Sequence, residues 1–145
     1  DFIKQWQEVK SQNKVFLANY IEKTMKIVVN PESMFDVQIK RIHEYKRQLL
    51  FSLFIIAEYL KLKHDPQKFQ VPRTFIMAGK AAPGYFMAKL SIKFVNSIAE
   101  VVNHDKGVKD RLKVIFMENE KIGKLGTTHC RSLRTNFLLR ISVLF

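Results

Sequence analysis

Three short apolar runs, separated by two long segments of helical character, set the narrowest limit on what this chain can fold into. In the first run Phe35, Val37 and Ile39 alternate with Asp36, Gln38 and Lys40, and strict alternation predicts a strand. The second, Arg73 to Ala78, is a compact apolar strand followed by Gly79, and the third is Leu112 to Met117. Between the first two, a long helix is expected from about His43 to Leu62. Leu49, Leu53, Ile56 and Leu60 form one stripe of it, with Phe51, Phe54 and Ile55 on the other side, so burial over most of its girth is expected. His64-Asp65-Pro66 ends it, and Lys68 to Pro72 reads as a loop. Pro83-Gly84 opens the next helix, where proline suits a helix start. Its expected core stripe is Met87, Leu90, Phe94, Ile98 and Val101, and Asn103 to Gly107 closes it. Helices alternating with strands across short loops predict an α/β fold with a doubly wound, mostly parallel sheet.

Ahead of this unit, Asp1 to about Lys23 reads as a helix, with Phe2, Trp6, Val9, Phe16, Leu17, Tyr20 and Ile21 at spacings of three and four. Ile27-Val28-Val29, ended by Asn30-Pro31, reads as a further short strand closed by a turn. The stretch from Glu120 to Phe145 behaves differently. Gly123, Gly126, Thr127, Thr128, His129 and Cys130 show no periodicity, and the apolar spacing from Leu133 onward, among Arg131, Arg134 and Arg140, reads either as a basic amphipathic helix or as sequence not selected to fold.

Length and composition exclude several classes. A chain of 145 residues predicts about one domain. With 47% hydrophobic and 26% charged residues it is neither disordered nor low in complexity. Its single cysteine, Cys130, leaves no internal disulfide framework and suits a reducing compartment. No apolar run reaches the length of a transmembrane helix, and no secretory signal is visible. The chain starts at Asp1 rather than Met, which reads as processing or as a piece of something longer. The formal net charge of +12 calls for an anionic partner: nucleic acid, an anionic surface or a phosphate-bearing small molecule.

The densest chemistry is Lys40-Arg41-Ile42-His43-Glu44-Tyr45-Lys46-Arg47, placed where a strand hands over to a helix. Ligands of open α/β sheets gather beyond the carboxyl ends of the strands. Cations at a helix N-terminus oppose the macrodipole, so a cluster there is offset by an anion. On spacing alone this cluster reads equally as an anion site or as a solvated basic face. Gly79-Lys80-Ala81-Ala82-Pro83-Gly84 is a glycine-bounded loop between strand and helix. It is not a P-loop, since Thr74 and Ala81 stand where glycine and Ser/Thr are required, and Ala81 also breaks the dinucleotide pattern. A close backbone approach to a ligand and a tight packing turn both remain open for it. His43, His64, His104, His129 and Cys130 lack metal-ligand spacing, so no metal is expected. The cations are not interleaved with aromatics as a nucleic-acid recognition motif requires.

Met34 to Leu50 resembles a signature stretch of the α-1,4-glucan phosphorylases. So do Val71-Pro72-Arg73 running on through Gly79-Lys80-Ala81-Ala82-Pro83-Gly84-Tyr85 to Met87-Ala88-Lys89, then Val102-Asn103-His104-Asp105, and Arg111 to Phe116, all in the family's order. The resemblance covers roughly Asp1 to Asn119. It implies a piece of a two-domain glycosyltransferase of the GT-B type, with residues 1–119 forming part of the Rossmann-like C-terminal domain that bears pyridoxal 5′-phosphate. It implies phosphorolysis of α-1,4-glucan to glucose 1-phosphate in glycogen or starch breakdown, a cytoplasmic location and a homodimeric intact enzyme. By resemblance Lys40 lies beside the cofactor phosphate, Arg41 and Lys46 hold the substrate phosphate, and His43 and Tyr85 lie at the site mouth with a ligand-binding role. After Asn119 the family's pattern is lost. Glu120 stands where the family has tyrosine, and no match to the Gly-Thr-Gly-Asn-Met-Lys segment, whose lysine carries the cofactor, occurs between Gly123 and Phe145. Residues 120–145 are therefore expected to be a divergent tail, frameshifted or mis-spliced, and the chain alone is expected to be inactive. The other class of reading is a basic, non-enzymatic binding module for phosphate, sugar phosphate or nucleic acid.

Overall fold

The computed structural model describes residues 1–68, 71–108 and 111–117. Helix α1 spans Phe2–Met25. The Asp1 side chain caps its start by accepting from the Ile3 amide at 3.2 Å. Lys26 ends it in the left-handed region, φ 59°, with its N–H on the Glu22 carbonyl at 3.0 Å. Strand β1 is Met34–Ile39, and a single 3-10 turn, Glu44–Lys46, precedes helix α2, Gln48–His64. A second such turn, Pro66–Lys68, is followed by β2, Arg73–Ala78, α3, Phe86–His104, and β3, Leu112–Met117. The fold is thus α/β.

The three strands form one parallel sheet in the order β1-β2-β3. Phe35 stands opposite Thr74, which stands opposite Lys113, and the register holds to Ile39, Ala78 and Met117. Side chains alternate across the sheet. Val37, Ile76, Ala78, Ile115 and Met117 pack beneath Leu17, Ala18 and Ile21 of α1. Phe75, Met77, Leu112 and Val114 pack on the other face against Ile55 and Leu62 of α2 and Val95, Ile98 and Val102 of α3. Helices cover both faces, as expected of a doubly wound, Rossmann-like sheet. No helix among the described residues is long and apolar enough to cross a membrane.

Three local expectations are corrected, and the polar residues of β1 are found covered. Ile27, Val28 and Val29 form no strand. They are caught between the left-handed cap of α1 and a turn in which Asn30 accepts from the Glu32 amide at 2.9 Å and from Ser33 at 2.6 Å. Val29 is buried in the α1 layer, and β-branched residues make a strand only where a partner edge is in reach. The polar residues of β1 do not face water: Gln38 is buried, and Asp36 lies 3.7 Å from Arg73, because α2 covers that face. Helix α2 starts at Gln48 rather than His43, and its sheet-facing stripe is Gln48, Ser52, Ile55, Glu58 and Leu62. Leu49, Leu53 and Leu60 point outward. In α3 Ile98 is buried as expected and Phe94 packs against the core, but the other buried positions are Ala88, Val95 and Val102, and Met87, Leu90 and Val101 are exposed. Apolar residues on several faces of both helices blur the phase that periodicity reports. The tail, residues 120–145, lies outside the described residues.

Polar clasps fix the helices to the sheet. Asn103 donates to the Val114 carbonyl at 2.8 Å and accepts from the Val114 amide at 3.0 Å, acting as a one-residue extension of the sheet beside β3. Arg73 reaches Glu58 on α2 at 3.1 Å, and Glu58 also holds Lys61 at 2.9 Å. At the far ends of α2 and α3, Asp105 accepts from Tyr59 at 2.5 Å, from Lys63 at 2.8 Å and from the Gly107 amide at 2.7 Å. The Lys63 ammonium, with the Tyr59 and Gly107 bonds, holds the Asp105 carboxyl down at about 2.

Two outcomes are expected. A carboxylate with a depressed pKa stabilises the fold above its ordinary value, and that contribution disappears as the pH falls toward the folded-state value. Asp105→Asn should therefore lower the melting temperature at neutral pH, and thermal melts should show the gap to wild type closing between its ordinary value of 3.8 and about 2. Lys26 adopts a conformation that glycine enters without steric cost. Lys26→Gly should accordingly raise stability by roughly 0.5–1 kcal/mol in urea titration.

Candidate functional site

The β1–β2 ladder does not stop where the strands do. The Lys40 amide donates to the Ala78 carbonyl at 3.1 Å, and the Ile42 amide to the Lys80 carbonyl at 3.0 Å. Two loops, 40–47 and 79–85, therefore leave the sheet side by side at its carboxyl end. Gly79 permits this. A Cβ there would lie 2.1 Å from the Lys40 carbonyl oxygen and 2.9 Å from Ile42 Cδ1, far inside contact distance. The glycine-bounded loop is thus a close packing of backbone on backbone at Gly79, whereas a Cβ on Gly84 would meet nothing within 4 Å. Ile42 is buried beneath the pair and anchors the first loop.

This placement gathers the expected site residues on one edge. Lys40 and Arg41 are exposed at the exit of β1, and Lys80 is exposed beside them on the second loop. His43 is exposed, with its ring centroid 4.5 Å from that of Tyr45 and 5.2 Å from that of Tyr85. Lys46 is partly buried, with Nζ 5.4 Å from the Tyr45 ring centroid. The Tyr85 hydroxyl bridges the loops: it donates to Glu44 Oε2 at 2.8 Å and accepts the Glu44 amide at 3.5 Å. The bond to the Glu44 carboxylate pushes the Tyr85 phenol above its ordinary value. Among the described residues no carboxylate lies within ion-pair range of Arg41, Lys46 or Lys80.

Between the 3-10 turn and α2, Arg47 takes a left-handed conformation, φ 59°, and no side chain caps the helix start. The cations thus lie ahead of the helix in a separate, strained turn rather than inside its first turn, and still at the positive end of its dipole. Concentrated positive charge with exposed donors at the carboxyl edge of a parallel sheet can hold a phosphate group. Among the described residues no group of three or more His, Cys, Asp or Glu side chains gathers as a metal site would need.

Sequence reasoning missed three residues that build the loop. Gln48 donates from Nε2 to the Arg41 carbonyl at 3.2 Å and accepts the His43 amide on Oε1 at 3.4 Å. Gln38 donates to the Lys46 carbonyl at 3.2 Å. Glu44 makes the link to Tyr85. The available signal was weak: a polar side chain at the start of an apolar helix and another in an alternating strand, where exposure is the usual expectation.

Known proteins share this arrangement of sequence. Residues 1–127 match the family model described as carbohydrate phosphorylase. Over 121 residues, 83% of the chain, it is 54% identical to the muscle form of glycogen phosphorylase from Mus musculus and to the liver form from Bos taurus. It is 56% identical to the brain form from Homo sapiens over the same share. The matched residues are 14% of the length of each of these relatives. With the match covering most of its length, the chain belongs to the carbohydrate phosphorylase family.

Proposed function

We propose that this chain supplies the phosphate-binding edge of a glucan phosphorylase, an enzyme that cleaves the terminal α-1,4 bond of a glucan with inorganic phosphate to give glucose 1-phosphate. The observation that carries this reading is the cluster at the carboxyl ends of β1 and β2: Lys40, Arg41 and Lys46, with Lys80 alongside, on two loops locked together by backbone bonds. Residues 1–119 act as part of the C-terminal, cofactor-bearing domain. The relatives' printed names, all glycogen phosphorylases, support glycogen as the glucan.

Each residue then has a physical task. Arg41 presents a planar guanidinium able to grip two oxygens of the substrate phosphate at once. Lys46, its ammonium fixed over the Tyr45 ring, adds a second charge to the same anion. Together they hold the phosphate dianion against the developing positive charge of the glucosyl carbon and resist its escape to water. Lys40 would hold the phosphate of pyridoxal 5′-phosphate. That group supplies, when bound, a second phosphate able to exchange a proton with the first. The donor set suits it, since two phosphates held close together need dense positive charge. His43 and Tyr85 offer a tilted pair of rings at the mouth that suits a planar ligand. The same reading places the intact enzyme in the cytoplasm as a homodimer.

Binding separates this reading from that of a general basic module. Inorganic phosphate at a hundred times its Kd should stabilise the chain by about 2.7 kcal/mol in thermal melts. Arg41→Ala should abolish that protection and leave the ligand-free melting temperature unchanged. Binding of duplex DNA that weakens steeply with salt, with no protection by phosphate, would favour the basic-module reading instead. Because the chain spans a seventh of its relatives, the purified 145 residues should release no glucose 1-phosphate from glycogen and phosphate. Coupled-enzyme detection of that product would overturn the assignment of the chain as a non-catalytic piece.

A further inference from the structure

Arg41 and Lys46 share a feature that charge alone does not explain. The backbone carbonyl of each is taken by a buried side-chain amide: Gln48 Nε2 holds the Arg41 carbonyl, and Gln38 Nε2 holds the Lys46 carbonyl. Gln48 and Gln38 are 3% and 5% exposed. They come from different elements, the first residue of α2 and the interior of β1, and they grip the loop near its two ends. The Gln48 amide also receives the His43 N–H, which fixes the turn between the two cations.

Gln38 is not placed there for stability. Its Oε1 is buried and has no hydrogen-bond partner among the described residues. An unpartnered amide oxygen in a protein interior is unfavourable, and an apolar side chain of the same length would remove that cost. What the amide provides is one bond, to the residue that carries the Lys46 ammonium. We propose that Gln38 and Gln48 are positioning residues of the phosphate site, setting Lys46 and Arg41 in register with one another through their backbone carbonyls. This rests on the phosphate-binding reading of that loop. Neither glutamine touches the anion itself. Each removes freedom from the backbone on which a cation is mounted, so that the two charges converge before the anion arrives.

The test uses the full 145-residue chain, with inorganic phosphate as the probe in isothermal titration and thermal melts without ligand. Gln38→Met and Gln48→Met are compared with Asp105→Asn, which loosens the fold at its far end. Gln38→Met should keep or raise the melting temperature and yet weaken phosphate about tenfold, the factor that 1.4 kcal/mol represents. Gln48→Met should weaken phosphate by a similar factor and speed hydrogen exchange at the His43 amide, leaving the Lys40 amide as protected as before. Asp105→Asn should lower the melting temperature with phosphate affinity intact. Phosphate affinities within twofold of wild type in both methionine variants would overturn the proposal, as would losses that merely follow melting temperature across all three. Absence of phosphate binding in the wild-type chain is a different failure. It would sink the phosphate reading itself and this assignment with it, whatever the exchange rates report.

Discussion

Everything at the candidate site depends on the close approach of two backbones at the end of β1 and β2. Parallel strands normally part once their ladder ends, each turning into its own crossover. Here two more inter-strand bonds, Lys40 to Ala78 and Ile42 to Lys80, keep the loops in step beyond the last strand residue. Gly79 is the sole residue type that fits between them. The loops are therefore extensions of a rigid sheet rather than free excursions from it, and cations mounted on them inherit its rigidity. Tyr85 and Glu44 close the same gap from the solvent side.

Energetically the fold divides its work. Apolar burial on both faces of the sheet supplies the bulk stabilisation, through Leu17 and Ile21 on one side and Ile55, Phe75, Val95 and Val102 on the other. Polar contacts fix where the pieces sit. Asn103 ties α3 to Val114, Arg73 ties β2 to Glu58 of α2, and Asp105 joins the far ends of α2 and α3. These bonds add modestly to stability and strongly to geometry, the usual balance for hydrogen bonds in a folded protein.

Much of this was legible before the structure. The second and third strands fall on Arg73–Ala78 and Leu112–Met117 as read from the residues, because fully buried parallel strands are short apolar runs bounded by turn residues. The cation cluster was legible because charge at a strand-to-helix junction contrasts with its surroundings. The phases of α2 and α3 were not. In α2, leucine and phenylalanine occur on nearly every face, and the side that packs is marked by Gln48, Ser52 and Glu58, which a hydrophobic pattern counts against it. In α3, Ala88 is small enough to lie against the sheet where the larger Met87 and Leu90 were expected. The glutamine clamps were invisible for the same reason: a buried amide leaves no trace in periodicity, and only its partner's position reveals it.

The mixed stripe of α2 has a mechanical consequence. A helix apolar on several sides has its setting only loosely marked by hydrophobic pattern: Leu49, Leu53 and Leu60 face outward while Ile55 and Leu62 are buried. The observed setting is chosen by features that cannot turn with impunity. Arg73 would lose its carboxylate, and the Arg41 carbonyl would lose its amide. Glu58 and Gln48 thus behave as the teeth of an indexing key, one at the start of the shaft and one in its second half. A change at Glu58 would therefore act on the setting of the whole helix, and through Gln48 on the 40–47 loop at its start.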